Sequence, residues 1–251
     1  MEPFMVYSGN HLFHYTKFES ALKIIASGYL KFGDFKNMND IAEAYREVFG
    51  MADDSIIYKV LADYQSICLT KDKPTRRGFS VDSLWGHYAQ KGNGVCLVFD
   101  KKKLKEQLKN QFGRNAKIAK ISYVSDHVGT VFTDGYSEGE VRQYVKGHVK
   151  QIFFTKSNDR KYENEIRIIK TKESDTNPLY YGDSLMCAIL CLPKIDNFID
   201  YKKSPEFLIM KAVLPEKPIL RYTTRLGNKE LLDEDGEKTY GIIGNDWQLA
   251  I

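Results

Sequence analysis

Three consecutive polar residues, His14, Tyr15 and Thr16, form the first stretch of the chain whose residue types could do chemistry. They end a segment that begins at His11, and residues 11–15 are predicted to form a short strand. Because a helix is predicted directly afterwards, these side chains would lie at a strand end beside a helix N-terminus. Unpaired N–H groups and a positive dipole end favour ligand binding there. The stretch is therefore interpreted as a folding nucleus and as one wall of a site.

Further along the chain, Tyr88, Glu163 and Glu165 complete a scattered set of candidate residues. Each candidate also has an ordinary structural explanation. His14 can be a hydrogen-bonded strand residue, Tyr88 a core aromatic, and the two glutamates one charged face of a strand that also carries Arg167. From the residues alone, the chain is predicted to be a soluble α+β protein without an assigned activity.

The helix after the opening strand has recognisable end signals. Thr16 and Glu19 have the spacing of a capping box, and apolar residues recur from Phe18 at i, i+3, i+4 and i+7. Gly28 stands where a helix-ending glycine belongs, and a second strand is predicted over residues 29–32.

The remaining pattern predicts an α+β protein with helices mainly in the first 155 residues and a strand-rich remainder. Tyr88 falls in a helix predicted over residues 80–90, and Glu163 and Glu165 share one side of a strand predicted over residues 162–170. Further strands are predicted over residues 66–70, 95–99, 117–124, 185–192, 206–214 and 219–223, and further capped helices after Asp40 (with Glu43), Asp100 and Ser137 (with Glu140).

Two basic segments each have a structural and a functional interpretation. The loop of residues 71–78 is predicted to be an exposed linker, with an electropositive lip beside a site as the alternative. The Lys-rich helix after Asp100 is predicted to present a solvated face, with a surface for a phosphate backbone as the alternative. The net charge of +4 permits an anionic partner without requiring one.

Several function classes are disfavoured. The sequence has no Walker-type phosphate loop, no Gly-x-Ser-x-Gly elbow and no His-Glu-x-x-His motif, and no metal site is predicted. Its four cysteines lie in apolar runs, which predicts buried free thiols and a reducing, cytoplasmic location. No signal peptide is expected, and the longest apolar stretch, residues 185–193, is far below the roughly 20 residues of a membrane span.

A series of short motifs resembles, in the same order, a widespread bacterial family of uncharacterised domains. The resemblance covers about residues 11–170. The motifs are His14-Tyr15-Thr16, Gly28-x-Leu30, Asn39-Asp40, Ser66-x-Cys68-Leu69-Thr70, Trp85-x-x-Tyr88-Ala89, Gly92-x-Gly94 with the following strand to Asp100, and Tyr162-Glu163-x-Glu165-x-Arg167.

That family is in turn remotely similar to the ADP-ribosyltransferase superfamily, which places a His, a Tyr and a Glu around a split sheet that grips NAD. The resemblance implies a split β-sheet core with flanking helices in one domain, residues 1–251, completed by the strand-rich residues 171–251. It assigns the His, Tyr and Glu positions to His14, Tyr88 and Glu165, with Glu163 as the alternative for the Glu position. The sequence lacks a Ser-Thr-Ser-type strand and carries its middle Tyr on a predicted helix.

The resemblance implies that NAD is the substrate and that its nicotinamide–ribose bond breaks through an oxocarbenium-like state. Glu165 would stabilise the positive charge, and would orient or deprotonate the nucleophile. The histidine would hold the ribose and the amide, the tyrosine would stack on nicotinamide, and an arginine, Arg167 or one of the loop 71–78, would meet the pyrophosphate. The implied NAD-binding residues are His14, Tyr15, Thr16, Tyr88 and Arg167.

The expected activity is therefore NAD-dependent ADP-ribosylation of a cellular macromolecule by a cytoplasmic toxin or anti-phage defence effector. Basicity and the Lys-rich helix favour nucleic acid, RNA or DNA, over protein as the acceptor. A toxin of this kind would require a neutralising antitoxin protein. Two alternatives stay open: an NAD glycohydrolase, in which water replaces the acceptor, and a non-catalytic nucleotide- or nucleic-acid-binding module on the same fold.

Overall fold

The computed structural model describes residues 9–35, 56–125, 136–172, 177–193, 195, 198–225, 228–243 and 246–249. The chain forms two compact units, each assembled from segments that are distant in sequence. The first unit comprises residues 1–29, 69–107 and 180–251, and the second comprises residues 30–68 and 108–179. The assignment of residues 1–251 to one domain stays a prediction.

The described elements confirm an α+β protein. The strands are β1 (His11–Thr16), β2 (Tyr29–Leu30), β3 (Gly33–Asp34), β4 (Tyr64–Lys71), β5 (Val95–Asp100), β6 (Ala116–Lys120), β7 (Ser122–Val124), β8 (Thr155–Ser157), β9 (Glu165–Thr171), β10 (Leu179–Tyr180), β11 (Leu185–Cys191), β12 (Ile219–Arg225), β13 (Asn228–Leu232), β14 (Lys238–Ile243) and β15 (Asp246–Leu249). The α-helices are α1 (Phe18–Ser27), α2 (Ile56–Ala62), α3 (Asp82–Tyr88), α4 (Lys101–Phe112), α5 (Glu138–Gly147), α6 (Val149–Phe153), α7 (Phe198–Lys203) and α8 (Pro205–Val213). None of the helices in the described ranges is both long and apolar enough to cross a membrane.

The first unit is built on a mixed sheet. Its strands follow the order β15, β14, β13, β12, β11, β5, β1 and the end of β4. Strands β11 and β12 run parallel, with Ala188 opposite Ile219, whereas the other neighbours run antiparallel. The side chains of residues 95–99 are completely buried, because β5 lies inside the sheet and its sequence is a continuous apolar run.

Helix α1 follows β1 as predicted, but its predicted capping box is wrong. Lys17 occupies the N-cap position and provides no side-chain hydrogen bond. Thr16 cannot serve as the cap because it is still part of β1, where its backbone pairs with Val95 of β5. The predicted end is confirmed: Gly28 has a left-handed φ of 78°, and its N–H donates to the Ile24 carbonyl at 3.0 Å. The second strand is shorter than predicted and contains only residues 29–30.

The second unit combines short strands with α2, α5 and α6. Strand β6 pairs antiparallel with β9, and β7 pairs parallel with β8, so the strand predicted over residues 117–124 is divided in two. The capping box at the start of α5 is confirmed, because Ser137 Oγ accepts the N–H of Glu140 at 3.4 Å and the Glu140 carboxylate accepts the N–H of Ser137 at 2.8 Å. The apolar core of this unit contains Phe35, Val60, Leu61, Tyr64, Ile121, Val141, Val145, Val149, Phe153, Phe154 and Ile169.

The strand predicted over residues 206–214 is wrong, since this segment forms helix α8. Ser204 caps it by accepting the N–H of Phe207 at 3.2 Å, and Pro205 occupies the first turn, where it needs no N–H partner. The other predicted late strands, β11 and β12, are confirmed. The short capped helix predicted at Asp40 and Glu43 lies outside the described part of the chain.

The loop of residues 71–78 is not the exposed linker that its charges predicted. Asp72 and Arg77 are only 4% and 3% exposed. One carboxylate oxygen of Asp72 accepts hydrogen bonds from Arg77 Nε at 3.0 Å and from the Gly78 N–H at 2.7 Å. The other oxygen lies 3.6 Å from Nδ1 of His11 on β1. Charges are buried when paired in this way, so the loop is tied to β1.

Two glycines of the first unit provide a test of its packing. A Cβ on Gly94 would lie 2.5 Å from the Thr16 carbonyl oxygen and 2.7 Å from the Ala89 Cα, whereas a Cβ on Gly86 would meet nothing within 4 Å. Gly94→Ala is expected to lower the free energy of unfolding by roughly 1–3 kcal/mol, because backbone must move to admit the methyl group. Urea unfolding followed by circular dichroism measures the change.

Gly86→Ala is the matched control. It lies inside α3, so the substitution is expected to raise the free energy of unfolding by up to about 1 kcal/mol through helix propensity. Equal stability of Gly94→Ala and the wild type would show that Gly94 is not in close contact with β1.

Candidate functional site

Three of the candidate residues lie on β1 in the first unit. His14 and Thr16 are half-buried, and Tyr15 is buried. His14 is paired with Leu97 in the antiparallel register between β1 and β5. The Tyr15 hydroxyl donates to the Gly78 carbonyl at 2.6 Å. Burial raises the pKa of Tyr15, so this hydroxyl remains a neutral donor that fixes β1 against the loop.

Tyr88, the second candidate, is the last residue of α3 in the first unit and is half-buried. Trp85 anchors this helix: its indole N–H donates to the Phe79 carbonyl at 2.8 Å, and its ring stacks on Tyr222 with centroids 5.4 Å apart. The Trp-x-x-Tyr motif therefore combines a buried anchor with a partly exposed ring one turn later.

The third candidate, Glu165, lies in the second unit within a network of buried charged side chains. Lys156 Nζ is 2.8 Å from a carboxylate oxygen of Glu163 and 2.8 Å from one of Glu165. Arg167 donates from Nε to Oε1 of Glu165 at 2.7 Å and from Nη2 to Oε2 at 3.3 Å. We call Lys156, Glu163, Glu165 and Arg167 the buried charge network. Glu165 is its centre, because it contacts both cations.

The network is embedded in the apolar core of the second unit. The Arg167 side chain is completely buried, donates to the Phe153 carbonyl at 2.8 Å, and places its guanidinium 5.5 Å from the centroid of the Phe35 ring. The Tyr123 hydroxyl accepts the backbone N–H of Glu165 at 2.9 Å. These contacts hold both partners of the Glu165–Arg167 pair in place, as a buried ion pair requires.

Glu163 joins the network from a 3₁₀ turn and not from the predicted strand. It ends a 3₁₀ turn over Asn158–Glu163, and strand β9 begins only at Glu165, so the two glutamates do not share a strand face. Asn164 between them has a left-handed φ of 46°. Both glutamates nevertheless contact the same Lys156 ammonium group.

Glu165 is an ionised carboxylate over the whole physiological pH range. Burial alone would raise the pKa of Glu165, but the charges of Arg167 and Lys156 and their hydrogen bonds outweigh burial and lower it to about 2. Such a group does not accept a proton near neutral pH. It can supply a fixed negative charge to a positive charge that develops beside it.

Lys156 is the member of the network that no sequence motif indicates. Its signal is weak: it follows the apolar pair Phe153 and Phe154, and its side chain is buried on the short strand β8. Lysine is rarely buried without a partner, and that partner comes from a separate turn of the chain. In the ranges that the structure describes, no group of three or more His, Cys, Asp or Glu side chains could hold a metal ion.

Comparison with known proteins supports one part of the resemblance. Residues 84–168 match the model of a family described as "Protein of unknown function (DUF2971)". The matched segment contains the Trp85-x-x-Tyr88 motif, Glu165 and Arg167, and it confirms the similarity to an uncharacterised family over these residues. No curated protein and no solved structure matches the chain, and no similarity to ADP-ribosyltransferases is found.

The charge network makes a prediction about stability. Glu165→Gln is expected to lower the free energy of unfolding at neutral pH by about 3–5 kcal/mol, because it leaves Arg167 and Lys156 buried beside a neutral amide. Glu163→Gln is the matched control and is expected to cost less, since Lys156 keeps its contact with Glu165. Equal losses in urea unfolding of the two variants would show that Glu165 is not the centre of the network.

The same carboxylate predicts how stability depends on pH. Its pKa is lowered on folding, so its contribution is present above the ordinary pKa of 4.5 and is lost as the pH falls towards 2. The wild type is therefore expected to lose more free energy of unfolding than Glu165→Gln as the pH is lowered through this window. Parallel pH profiles of the two proteins would contradict the prediction.

Proposed function

We propose that the protein is an NAD-dependent ADP-ribosyltransferase in which Glu165 is a fixed negative charge. The observation that carries this proposal is the contact geometry of Glu165: Arg167 and Lys156 hold its carboxylate in the charged form, and Glu165 lies inside the segment that matches the family model. Cleavage of the nicotinamide–ribose bond develops positive charge on the ribose, and a preorganised carboxylate stabilises such a charge.

The low pKa narrows the role that Glu165 takes in this proposal. A carboxylate whose pKa is lowered well below its ordinary value is a poor general base at neutral pH, so we assign Glu165 charge stabilisation and not proton abstraction. Arg167 is assigned as its partner, because the guanidinium is engaged by Glu165 and by the Phe153 carbonyl. The NAD pyrophosphate is then assigned to Lys73 or Arg76 of the half-exposed part of the loop 71–78.

His14 and Tyr88 keep the roles that the resemblance implies, and both are only half-buried. In the proposal His14 holds the ribose and the amide, with Tyr15 and Thr16 as neighbouring groups, and the Tyr88 ring stacks on nicotinamide. The proposed acceptor is nucleic acid, with protein as the alternative. The setting we propose is that of a toxin or anti-phage effector held in check by a neutralising protein.

One observation favours a second candidate function. Both carboxylate oxygens of Glu165 are engaged by Arg167 and Lys156, and its side chain is only 4% exposed, as in a structural ion-pair network. In that case the fold would be a non-catalytic nucleotide- or nucleic-acid-binding module. A catalytic Glu165 and a structural Glu165 differ in whether NAD is consumed.

The experiment is incubation of the protein with labelled NAD and, separately, with RNA, DNA and cell lysate. Label is expected on the nucleic acid, and His14→Ala and Tyr88→Ala are expected to reduce the rate by about 10²-fold or more, as loss of transition-state contacts does. These variants leave the buried charge network intact, so a loss of activity is not a loss of that network. Tyr136→Ala is the control for the second unit, since Tyr136 is an exposed residue of that unit outside the network.

The outcomes separate the candidates. Free nicotinamide without labelled polymer would identify an NAD glycohydrolase. No consumption of NAD by the wild type would contradict the enzymatic proposal and favour the binding module. Full activity of both His14→Ala and Tyr88→Ala would contradict the catalytic roles that the resemblance assigns to these two residues.

A further inference from the structure

The first unit exposes a pair of aromatic rings. Tyr29 of β2 and Tyr180 of β10 are 41% and 45% exposed, and their ring centroids are 5.4 Å apart. Their two short strands pair with each other. Large aromatic side chains are usually buried, so two adjacent exposed rings are an informative feature of a surface.

Backbone and side-chain contacts hold the tyrosine pair in place. Gly28 turns the chain out of α1 with a φ of 78°, and the Tyr180 ring lies over it, because a Cβ on Gly28 would be 3.3 Å from Tyr180 Cε2. The Tyr181 N–H donates to the Gly28 carbonyl at 3.1 Å. Tyr181 itself is buried, and its hydroxyl donates to the Ile24 carbonyl at 3.3 Å. A ring held in this way loses little conformational entropy when a flat ligand stacks on it.

A basic helix lies beside the tyrosine pair. The Gln107 amide of α4 is 2.9 Å from the position of a Cβ on Gly182, and Gly182 follows Tyr180 by two residues. Lys103 is exposed and lies one turn before Gln107 on the same face of α4. The exposed charged residues of α4 from Lys102 to Glu106, together with Asp183 next to Gly182, are three lysines and two acidic residues.

We propose that Tyr29, Tyr180 and Lys103 form a binding surface for single-stranded nucleic acid, which we call the tyrosine platform. Unpaired bases stack on the two rings, and the ammonium group of Lys103 contacts the phosphate backbone. Adjacent exposed aromatics flanked by basic side chains bind single strands with little sequence preference, because every base has a π-face. Bases in a duplex are stacked on one another and do not reach such rings.

This inference extends the proposed function, because the bound single strand would be the acceptor of ADP-ribose. In that respect it rests on the proposed function. Binding itself requires no NAD, so it is measured without NAD and can fail or succeed independently of catalysis. Binding of the single strand without consumption of NAD would support the tyrosine platform and contradict the transferase activity.

The test is fluorescence anisotropy with a labelled single-stranded oligouridine of about 12 nucleotides and the matching duplex. The wild type is expected to prefer the single strand. Tyr29→Ala and Tyr180→Ala are each expected to weaken binding by about 5- to 100-fold, whereas Tyr29→Phe and Tyr180→Phe keep the stacking ring and are expected to bind as the wild type does. Lys103→Ala is expected to reduce the slope of log K against log salt by about 0.7.

Tyr136→Ala is the matched control, since Tyr136 is an exposed tyrosine of the other unit. It is expected to leave binding unchanged. Undetectable binding of the single strand at about 50 mM salt would overturn the proposal. Wild-type affinity in both alanine variants would overturn it as well, as would a preference for the duplex.

Discussion

A carboxylate inside a protein stays charged when cations or hydrogen-bond donors are fixed beside it, and this constraint shapes the surroundings of Glu165 in the second unit. Arg167 grips Glu165 with two nitrogens, and Lys156 bridges Glu165 to Glu163. The four side chains come from β8, a 3₁₀ turn and β9, so the network joins three consecutive segments. The network therefore holds the backbone around residues 162–167 in place and also keeps the Glu165 carboxylate charged.

A related arrangement holds the opening strand of the first unit. Asp72 binds the side chain of Arg77 and the backbone of Gly78, and it lies beside His11. The carbonyl of the same Gly78 accepts the Tyr15 hydroxyl. Strand β1 is therefore attached to the loop at both ends, and the half-buried His14 lies between the two attachments. A buried charge cluster thus anchors the strand that carries a candidate residue.

Local signals in the sequence predicted much of the fold. The capping box of Ser137 and Glu140 was found because both partners are close in sequence, and the apolar runs of the central strands were clear. The strand predicted over residues 206–214 is wrong because a short apolar run suits either a strand or a buried helix, whereas the preceding Ser204-Pro205 is a helix start signal. The contact between Glu163 and Lys156 could not be predicted, since it depends on tertiary packing that no periodicity encodes.

The central claim is that Glu165 is a fixed negative charge, and one measurement tests it most directly. Isotope-edited NMR of the glutamate carboxyl carbons, assigned by comparison with Glu165→Gln, follows the protonation of this group in the folded protein. We predict that its signal does not titrate between neutral pH and about pH 4, in keeping with a pKa of about 2. A titration midpoint at or above the ordinary value of 4.5 would contradict the account, because Arg167 and Lys156 would then not hold the charge.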